Sequence, residues 1–484
     1  MATKKDLVEA YSFSRRRLVT AFLSGAPGGR EVEPSRPGRT VVGGLALAVL
    51  LVAGAAIASV LASRTEEDWN KIGLVVSREE AAPYVILDDS EDPTLIPVIN
   101  ITSAQLILGA GVKPTYVSQD VIEDQTPGDP IGIAGAPQTL PRPKQFIESG
   151  WTACTDTGIG ITTAISADTL TSISQDLGTV VKSGDAYYVI ATSSDEDDHQ
   201  RTYRYPIPVA KNPANDPADD LLLALGIEDV RSEATEVPLD WLNLFPEGGA
   251  LGADSFDFED GGKLLDLEGY PSEARVGDYI DDGSGPALVL TRDGPSAVSP
   301  FALEVLMHTL FAHRRQLPNP VEMDRPSAVA TERTYTDALW PDDLLQQATG
   351  EPCARLVAKQ GDVPRVRLAE EPRGAAVPDP AVPADQKTVV IDPGRGAFVL
   401  IGEWDDTEGG DAYVIDPRGN TYLLEGPNTL EKLEYDASEA PVITDSWLKL
   451  FPKGVALSTA AALCPPALPA EDPATPDTCH EPPS

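Results

Sequence analysis

Val237-Pro-Leu-Asp-Trp-Leu-Asn-Leu-Phe-Pro-Glu-Gly-Gly-Ala-Leu251 and Val442-Ile-Thr-Asp-Ser-Trp-Leu-Lys-Leu-Phe-Pro-Lys-Gly-Val-Ala-Leu457 are two versions of one segment. The shared pattern W-L-x-L-F-P-x-G-x-A-L, with one residue of slip before Trp241 and Trp447, is too long for chance, and internal self-similarity marks a repeat architecture. The likeness extends upstream. Asp185-Ala-Tyr-Tyr-Val-Ile190 resembles Asp411-Ala-Tyr-Val-Ile415, each followed by a turn region and a second apolar run, Tyr203–Pro208 and Thr421–Leu424. Helix-like stretches come next, Leu221–Gly226 and Leu430–Tyr435, and the W-L-x-L-F-P segment is expected to close each unit as an apolar strand. Trp241 and Trp447 are then core residues rather than sugar-stacking platforms, since large aromatics mostly fill cores.

Two weaker copies extend the pattern. Pro83-Tyr-Val-Ile-Leu87 precedes Leu95–Ile99, a short helix read over Ser103–Leu108 from a serine cap, and Pro130–Pro137. Ala287–Gly294 is an apolar run ending in an Asp-Gly turn signal, and Val298–Leu306 reads as a serine-capped helix with Pro300 at its first position. The expected units are 70–137, 181–252, 273–345 and 397–458. Residues 138–180 and 346–396 are not repeats and are assigned to a central domain, with 253–272 as central domain or connector and 459–484 as a proline-rich tail. The proline runs at 317–326 and 372–383 read as loops, because proline cannot donate a ladder hydrogen bond.

The charge divides the chain. It has 484 residues and a formal net charge of −39, yet residues 1–40 hold eight Lys/Arg against four acids, so the other 444 carry −43. An acidic body argues against a nucleic-acid binder, which needs a basic face to displace counterions, and against docking of the bulk on anionic lipid. Between the two parts runs Val41–Ala62, 22 residues without a charge, long enough as a helix to cross a bilayer core. Ala56-Ile-Ala58 fits a signal-peptide cleavage site, but the apolar run exceeds the usual 7–15 residues and follows a 40-residue leader, which favours an uncleaved anchor. Basic residues upstream and acids downstream place 1–40 in the cytoplasm and the bulk outside. Gly54, Ala58 and Ala62 recur every four residues and offer a stripe for a neighbouring helix. In the leader, Phe13, Leu18, Val19 and Phe22 are expected to share one helix face beside Arg15, Arg16 and Arg17, a basic amphipathic pattern suited to the inner leaflet, to an acidic partner or simply to orientation.

All four cysteines, Cys154, Cys353, Cys464 and Cys479, lie beyond the apolar run, where disulfides persist. Three pairings are possible. Cys154–Cys353 and Cys464–Cys479 are favoured, the first because the two central stretches each carry one member, the second as a staple of the tail.

His199 sits in an acidic insertion best read as a solvated loop, and His308 and His313 are five apart, on different helix faces. There is no zinc-type Cys/His cluster, HExxH pair or GxSxG elbow. Asp260-Gly-Gly-Lys263 lacks the first glycine and the hydroxyl of a phosphate loop, so its glycines are expected in a turn. Asp254–Gly262 fails the spacing of a calcium loop, and its alternating Phe256 and Phe258 suggest a short strand. No cofactor or metal is implied.

Several segments together carry a resemblance. Arg15-Arg-Arg-Leu-Val19 ahead of one apolar helix, Pro97-Val-Ile-Asn-Ile-Thr-Ser-Ala-Gln-Leu-Ile-Leu108, Gly132-Ile-Ala-Gly-Ala-Pro-Gln-Thr-Leu-Pro141, Trp151-Thr-Ala-Cys154, Asp293-Gly and Val298-Ser-Pro300 make the chain similar, over nearly its whole length, to the EccB family, a core membrane component of type VII (ESX) secretion machines. Gln105 stands where that family is expected to have Arg, and Ala134 where it is expected to have Pro. The resemblance implies an α+β chain: one N-terminal transmembrane helix in the cytoplasmic membrane, then an elongated extracytoplasmic part with a central β-rich domain and four repeats of a phage-lysin-like cell-wall-binding fold. It also implies the disulfide Cys154–Cys353, and as partners the EccC ATPase, EccD, EccE, the mycosin protease and further copies of the chain. The first expected role is scaffolding a secretion complex. A peptidoglycan-binding tether is the second. A nucleotide hydrolase is the third; an ATPase activity is attached to some family names, but no phosphate loop stands in this sequence.

Overall fold

Helix α1 spans Lys4–Ser24 and opens with a reciprocal cap: the Thr3 backbone N–H and hydroxyl both donate to Asp6 Oδ2, while the Asp6 N–H donates to the Thr3 carbonyl. In the computed structural model residues 3–24, 44, 47–53, 69–90, 92–194, 199–208, 216–311, 317–327, 329, 334–466 and 479–483 are described. They form two compact units, Met1–Thr65 and Glu66–Ser484. At about 100° per residue, α1 gathers Leu7, Val8, Tyr11, Leu18, Val19 and Phe22 on one arc and turns Phe13 to the opposite side. The expectation that Phe13 shares a face with Leu18 and Phe22 is thus corrected, because five and nine residues are one and a half and two and a half turns. Residues 44 and 47–53 are helical and exposed, while most of the 41–62 run, including Gly54, Ala58 and Ala62, lies outside the described residues. Among the described residues no helix is long and apolar enough to cross a membrane.

The second unit is built on sheets. β1 (Gly73–Ser77), β2 (Pro83–Ile86), β3 (Ile96–Pro97) and β4 (Thr115–Val117) make the first, in order β3-β2-β1-β4, with β4 parallel to β1. Between them lies α2 (Ile101–Leu108). Its N-cap is Asn100, whose side chain accepts from the Ser103 N–H, so the cap lies three residues ahead of the serine read from sequence. α3 (Gln119–Glu123) follows β4.

β5 (Thr152–Cys154) and β6 (Ile161–Ile165) open a central sheet, which the chain then leaves. The next sheet is formed by β7 (Leu177–Ser183), β8 (Ala186–Ser194), β9 (Gln200–Pro206) and β10 (Thr235–Glu236), with α4 (Ala218–Ala224) after β9. α5 (Leu239–Leu242) follows β10, the latter running parallel to β7. β11 (Tyr279–Ile280), β12 (Leu288–Thr291) and β13 (Gly294–Ala297) form a three-stranded sheet. The pairing Thr291↔Gly294 makes Arg292-Asp293 the two-residue loop, one position earlier than the Asp-Gly signal. α6 (Pro300–Met307) starts as read, with Ser299 accepting from the Ala302 N–H and Pro300 first in the helix.

β14 (Gln346–Gln347) pairs with β7, after which the chain returns to the centre. β15 (Cys353–Val357), β16 (Arg365–Ala369) and β17 (Lys387–Ile391) complete that sheet in the order β16-β15-β5-β6-β17. The last sheet holds β18 (Ala397–Ile401), β19 (Ala412–Ile415), β20 (Thr421–Glu425), β21 (Val442–Ile443) and β22 (Leu457–Ser458), with α7 (Thr429–Leu433), α8 (Asp445–Leu448) and α9 (Thr459–Ala462).

The W-L-x-L-F-P segments are not strands. Each begins as one helical turn, α5 and α8, because Trp241, Leu242, Leu244 and Phe245 fall at i, i+1, i+3 and i+4, a helical and not an alternating spacing. The chain then drops onto the last long strand. The Arg204 N–H donates to the Pro246 carbonyl and the Gly248 N–H to the Arg204 carbonyl; Thr421, Pro452 and Gly454 repeat the pair, and Leu95, Thr126 and Gly128 make a third. Glycine is required at two of these places: a Cβ on Gly248 or Gly454 would stand 2.4 Å from Cε1 of Tyr205 or Tyr422. Nor is there a strand at Phe256 and Phe258, whose rings stack 5.1 Å apart after a short turn at Ala253–Ser255.

Packing is nested. Residues 74–133 share one apolar core with 398–463, to which Leu106, Ile107, Leu433 and Leu457 all belong. Residues 180–256 share another with 287–345, around Tyr205, Phe301 and Trp340. A third core joins the central sheet to parts of both.

Candidate functional site: the disulfide-locked junction

The third core is where the molecule is held together. β15 lies against β5 with Cys353 directly opposite Cys154, and the two form a disulfide with Cα atoms 4.1 Å apart, the close spacing of a non-hydrogen-bonded antiparallel pair. The bond spans 199 residues of sequence, and all of β7–β14 hangs between its ends. Both cysteines are fully buried. The second disulfide joins Cys464 to Cys479. It ties the chain end to the first sheet's neighbourhood: the Gly132 N–H donates to the Cys464 carbonyl, and the His480 N–H to the Leu463 carbonyl.

Three buried indoles surround the central sheet. Trp151 meets Trp447 edge-on at 6.3 Å and Phe451 at 5.7 Å, and Trp241 meets Phe245 at 5.0 Å. The Trp151 and Trp241 N–H groups donate to the carbonyls of Ile147 and Ala153, each at 2.8 Å. The Trp447 N–H is buried without a partner. Trp340 is buried in the second core and Trp404 is half-buried, so these five tryptophans face protein.

Two arginines that the sequence reading passed over complete the junction. Arg201 on β9 is buried, donates through Nη2 to the Trp404 carbonyl at 2.8 Å, lies 5.6 Å from the Trp404 ring and is 3.6 Å from Asp405. Arg367 on β16 donates to Gln200 Oε1 at 2.8 Å and to the Ser174 carbonyl at 3.1 Å, and burial lowers its pKa. Between them Thr202 accepts the Leu368 N–H at 2.8 Å and pairs with Thr192 at 2.7 Å. Thus β9 and β16 are joined through side chains rather than a backbone ladder. The available signal was two arginines placed inside apolar strand patterns of an acidic chain, Arg201-Thr-Tyr-Arg204 and Arg365-Val-Arg-Leu368, where a buried cation demands partners.

Three of the buried tyrosines in the outer cores carry perturbed hydroxyls. Tyr205 and Tyr435 donate to the carbonyls of Leu339 and Pro141, and burial raises the pKa of both. Tyr422 donates to Asp416, and burial, with that carboxylate beside it, pushes its hydroxyl up to about 12.

The remaining candidates are dispersed. Arg15, Arg16 and Arg17 are exposed on α1. His308 contacts the Glu304 carbonyl through Nδ1 at 2.8 Å; His313 and the acidic residues 195–198 lie outside the described residues. Lys263 pairs with Asp260, which also pairs with Arg292. The Gly262 and Lys263 N–H groups donate to the carbonyls of Val276 and Asp260, so they are committed to a turn. Among the described residues no group of three or more His, Cys, Asp or Glu is placed to hold a metal. Chemically the junction is a joint: apolar, cross-linked and satisfied mostly by its own backbone.

A family model described as "Type VII secretion system ESX-1, transport TM domain B", that of the EccB proteins, matches residues 1–469. Among curated relatives, the "ESX-1 secretion system ATPase EccB1" of Mycolicibacterium smegmatis is 34% identical over 116 residues, 24% of this chain and 23% of the relative. The "ESX-5 secretion system ATPase EccB5" of Mycobacterium tuberculosis is 30% identical over 148 residues, 30% of this chain and 28% of the relative. The matched stretches span about a quarter of the length of these relatives. Two solved structures share the fold. A chain of an intact ESX-5 inner membrane complex has a TM-score of 0.59 at 22% identity, covering 98% of this chain and 97% of that one. The EccB3 dimer from the ESX-3 core complex has a TM-score of 0.58 at 20% identity, covering 81% of this chain and 99% of that one.

Proposed function

This chain belongs to the EccB family of type VII secretion, and from that we propose that it is a scaffold of an ESX inner membrane complex. One observation carries the reading: a disulfide-closed, indole-packed joint fixes two outer cores to one central sheet. A body so built presents surfaces at set distances, as an assembly component must. The likeness in fold to a chain of an ESX-5 inner membrane complex supports the same reading.

On this reading residues 41–62 cross the cytoplasmic membrane once, 1–40 stay inside and the acidic unit Glu66–Ser484 lies beyond. Gly54, Ala58 and Ala62 let a neighbouring helix approach. The units 70–137, 181–252, 273–345 and 397–458 act as four repeats around the central stretches, a reading supported by the likeness of 237–251 to 442–457. Partners are further copies of the chain and the EccC, EccD, EccE and mycosin components. Tagged protein extracted from its own membranes in mild detergent is expected in a megadalton particle with an FtsK/SpoIIIE-type ATPase. Recovery as a lone monomer, under conditions that keep such particles whole, overturns the proposal.

A wall tether is the weaker reading, because Trp151, Trp241, Trp340 and Trp447, which would stack on sugar, are packed inside. Co-sedimentation of the intact chain with peptidoglycan would revive it.

A further inference from the structure

The arc on α1 that carries Leu7, Val8, Tyr11, Leu18, Val19 and Phe22 is left uncovered among the described residues: these side chains are between 52% and 90% exposed. Six large apolar groups on one side of a 21-residue helix are expensive to leave in water. Their surroundings say what covers them. The helix carries Lys4, Lys5, Arg15, Arg16 and Arg17 against only two acids, in a chain whose net charge is −39. Both acids, Asp6 and Glu9, stand on the side opposite the arc, along with Phe13 and Thr20, at the 3.6-residue repeat. Arg15 falls within the arc, where its aliphatic stem can lie along apolar surface and its guanidinium reach outward. Lys4 also falls within the arc, Lys5 and Arg16 flank it, and Arg17 stands on the far side beside Asp6; a net-basic helix with both acids turned from its apolar face fits an anionic lipid surface.

Reach argues for the same occupant. The charge-free run Val41–Ala62 begins 17 residues after Ser24, and it is the segment that, on the reading above, crosses the bilayer. A helix tethered so close to a membrane meets its surface at high effective concentration.

We propose that α1 lies flat on the cytoplasmic leaflet, its arc of apolar side chains sunk among the acyl chains and its basic residues on anionic headgroups, so that the leader is a second membrane attachment and not only an orientation signal. The inference rests on the single-crossing reading.

The protein's own chemistry makes it testable, because all four cysteines are in disulfides and an added one is the sole free thiol. Full-length protein with Leu7→Cys, Leu18→Cys, Glu9→Cys or Thr20→Cys is spin-labelled in nanodiscs of phosphatidylcholine with a quarter phosphatidylglycerol, and in phosphatidylcholine alone. Labels at 7 and 18 are expected to be several-fold more accessible to oxygen than to a water-soluble nickel chelate, and labels at 9 and 20 the reverse. The contrast should shrink without the anionic lipid. Equal nickel accessibility at all four sites would mean α1 is free in water, and labels at 7 and 18 closed to both reagents would mean protein covers the arc. Either result overturns the proposal, as does an unchanged contrast in pure phosphatidylcholine. Protein that fails to enter nanodiscs at all instead refutes the crossing, and the inference falls with it.

Discussion

Trp241 and Trp447 occupy matching places in their segments yet differ in one bond. The Trp241 N–H reaches the Ala153 carbonyl, whereas the Trp447 N–H is buried and unpaired. An orphaned donor costs its desolvation, about 1–3 kcal/mol, while a made bond returns about 1 kcal/mol net. Trp241→Phe should therefore destabilise more than Trp447→Phe, by about 1–2 kcal/mol in urea unfolding, although both remove similar apolar area. Equal losses would mean that packing alone governs both sites. Tyr422 supplies a pH dependence. Its hydroxyl is neutral in the folded state up to about 12, against 10 when exposed. A raised pKa gives stability that is whole below pH 10 and is lost as pH climbs from 10 toward 12. Tyr422→Phe should flatten that alkaline limb by on the order of 1–2 kcal/mol while leaving pH 7–9 unchanged in slope. A limb unaltered by the substitution would show that the Tyr422 hydroxyl is ionised freely in the folded protein.

At the scale of elements, the two disulfides should behave differently. Closing 199 residues removes about 5 kcal/mol of chain entropy from the unfolded state, and closing 15 about 3 kcal/mol, on the loop-closure account. Cys154→Ala with Cys353→Ala should lower the stability of the whole second unit. Cys464→Ala with Cys479→Ala should act locally, speeding hydrogen exchange in α9 while most of the unit stays protected. Similar global losses from both pairs would contradict the nested packing. These elements also show what sequence could reveal. The paired W-L-x-L-F-P segments were visible because they are long and alike, and the cap and proline of α6 because their signals are local. The helical turns α5 and α8 read as strands when the run is judged by its apolar content and brevity, whereas the i, i+1, i+3, i+4 spacing within it is helical. Sequence alone does not separate an Asn100 cap from a Ser103 cap, because both residue types are good N-caps. The Arg201 and Arg367 contacts were out of reach, since Trp404 and Ser174 are brought to them only by tertiary packing.

For the molecule as a whole, charge sets the balance. Residues 41–484 carry −43, and a compact body with that excess repels itself. Opposing this are surface ion pairs such as Lys71 with Asp89 at 3.1 Å and Lys449 with Asp445 at 2.6 Å. Exposed pairs contribute about 0–1 kcal/mol each, and added salt weakens them as it weakens the repulsion. With twice as many acids as bases, most carboxylates have no cation to lose, so screening relieves more repulsion than it removes attraction. Raising sodium chloride from about 20 to 300 mM shortens the Debye length from roughly 20 Å to under 6 Å. The melting temperature of the full chain in detergent should rise by several degrees over that range. Sucrose at matched osmolality raises stability by exclusion and not by screening, so it serves as the control: the salt increment should persist on top of it. A melting temperature that falls with salt would mean that specific ion pairs, and not the summed negative field, decide the stability of this body.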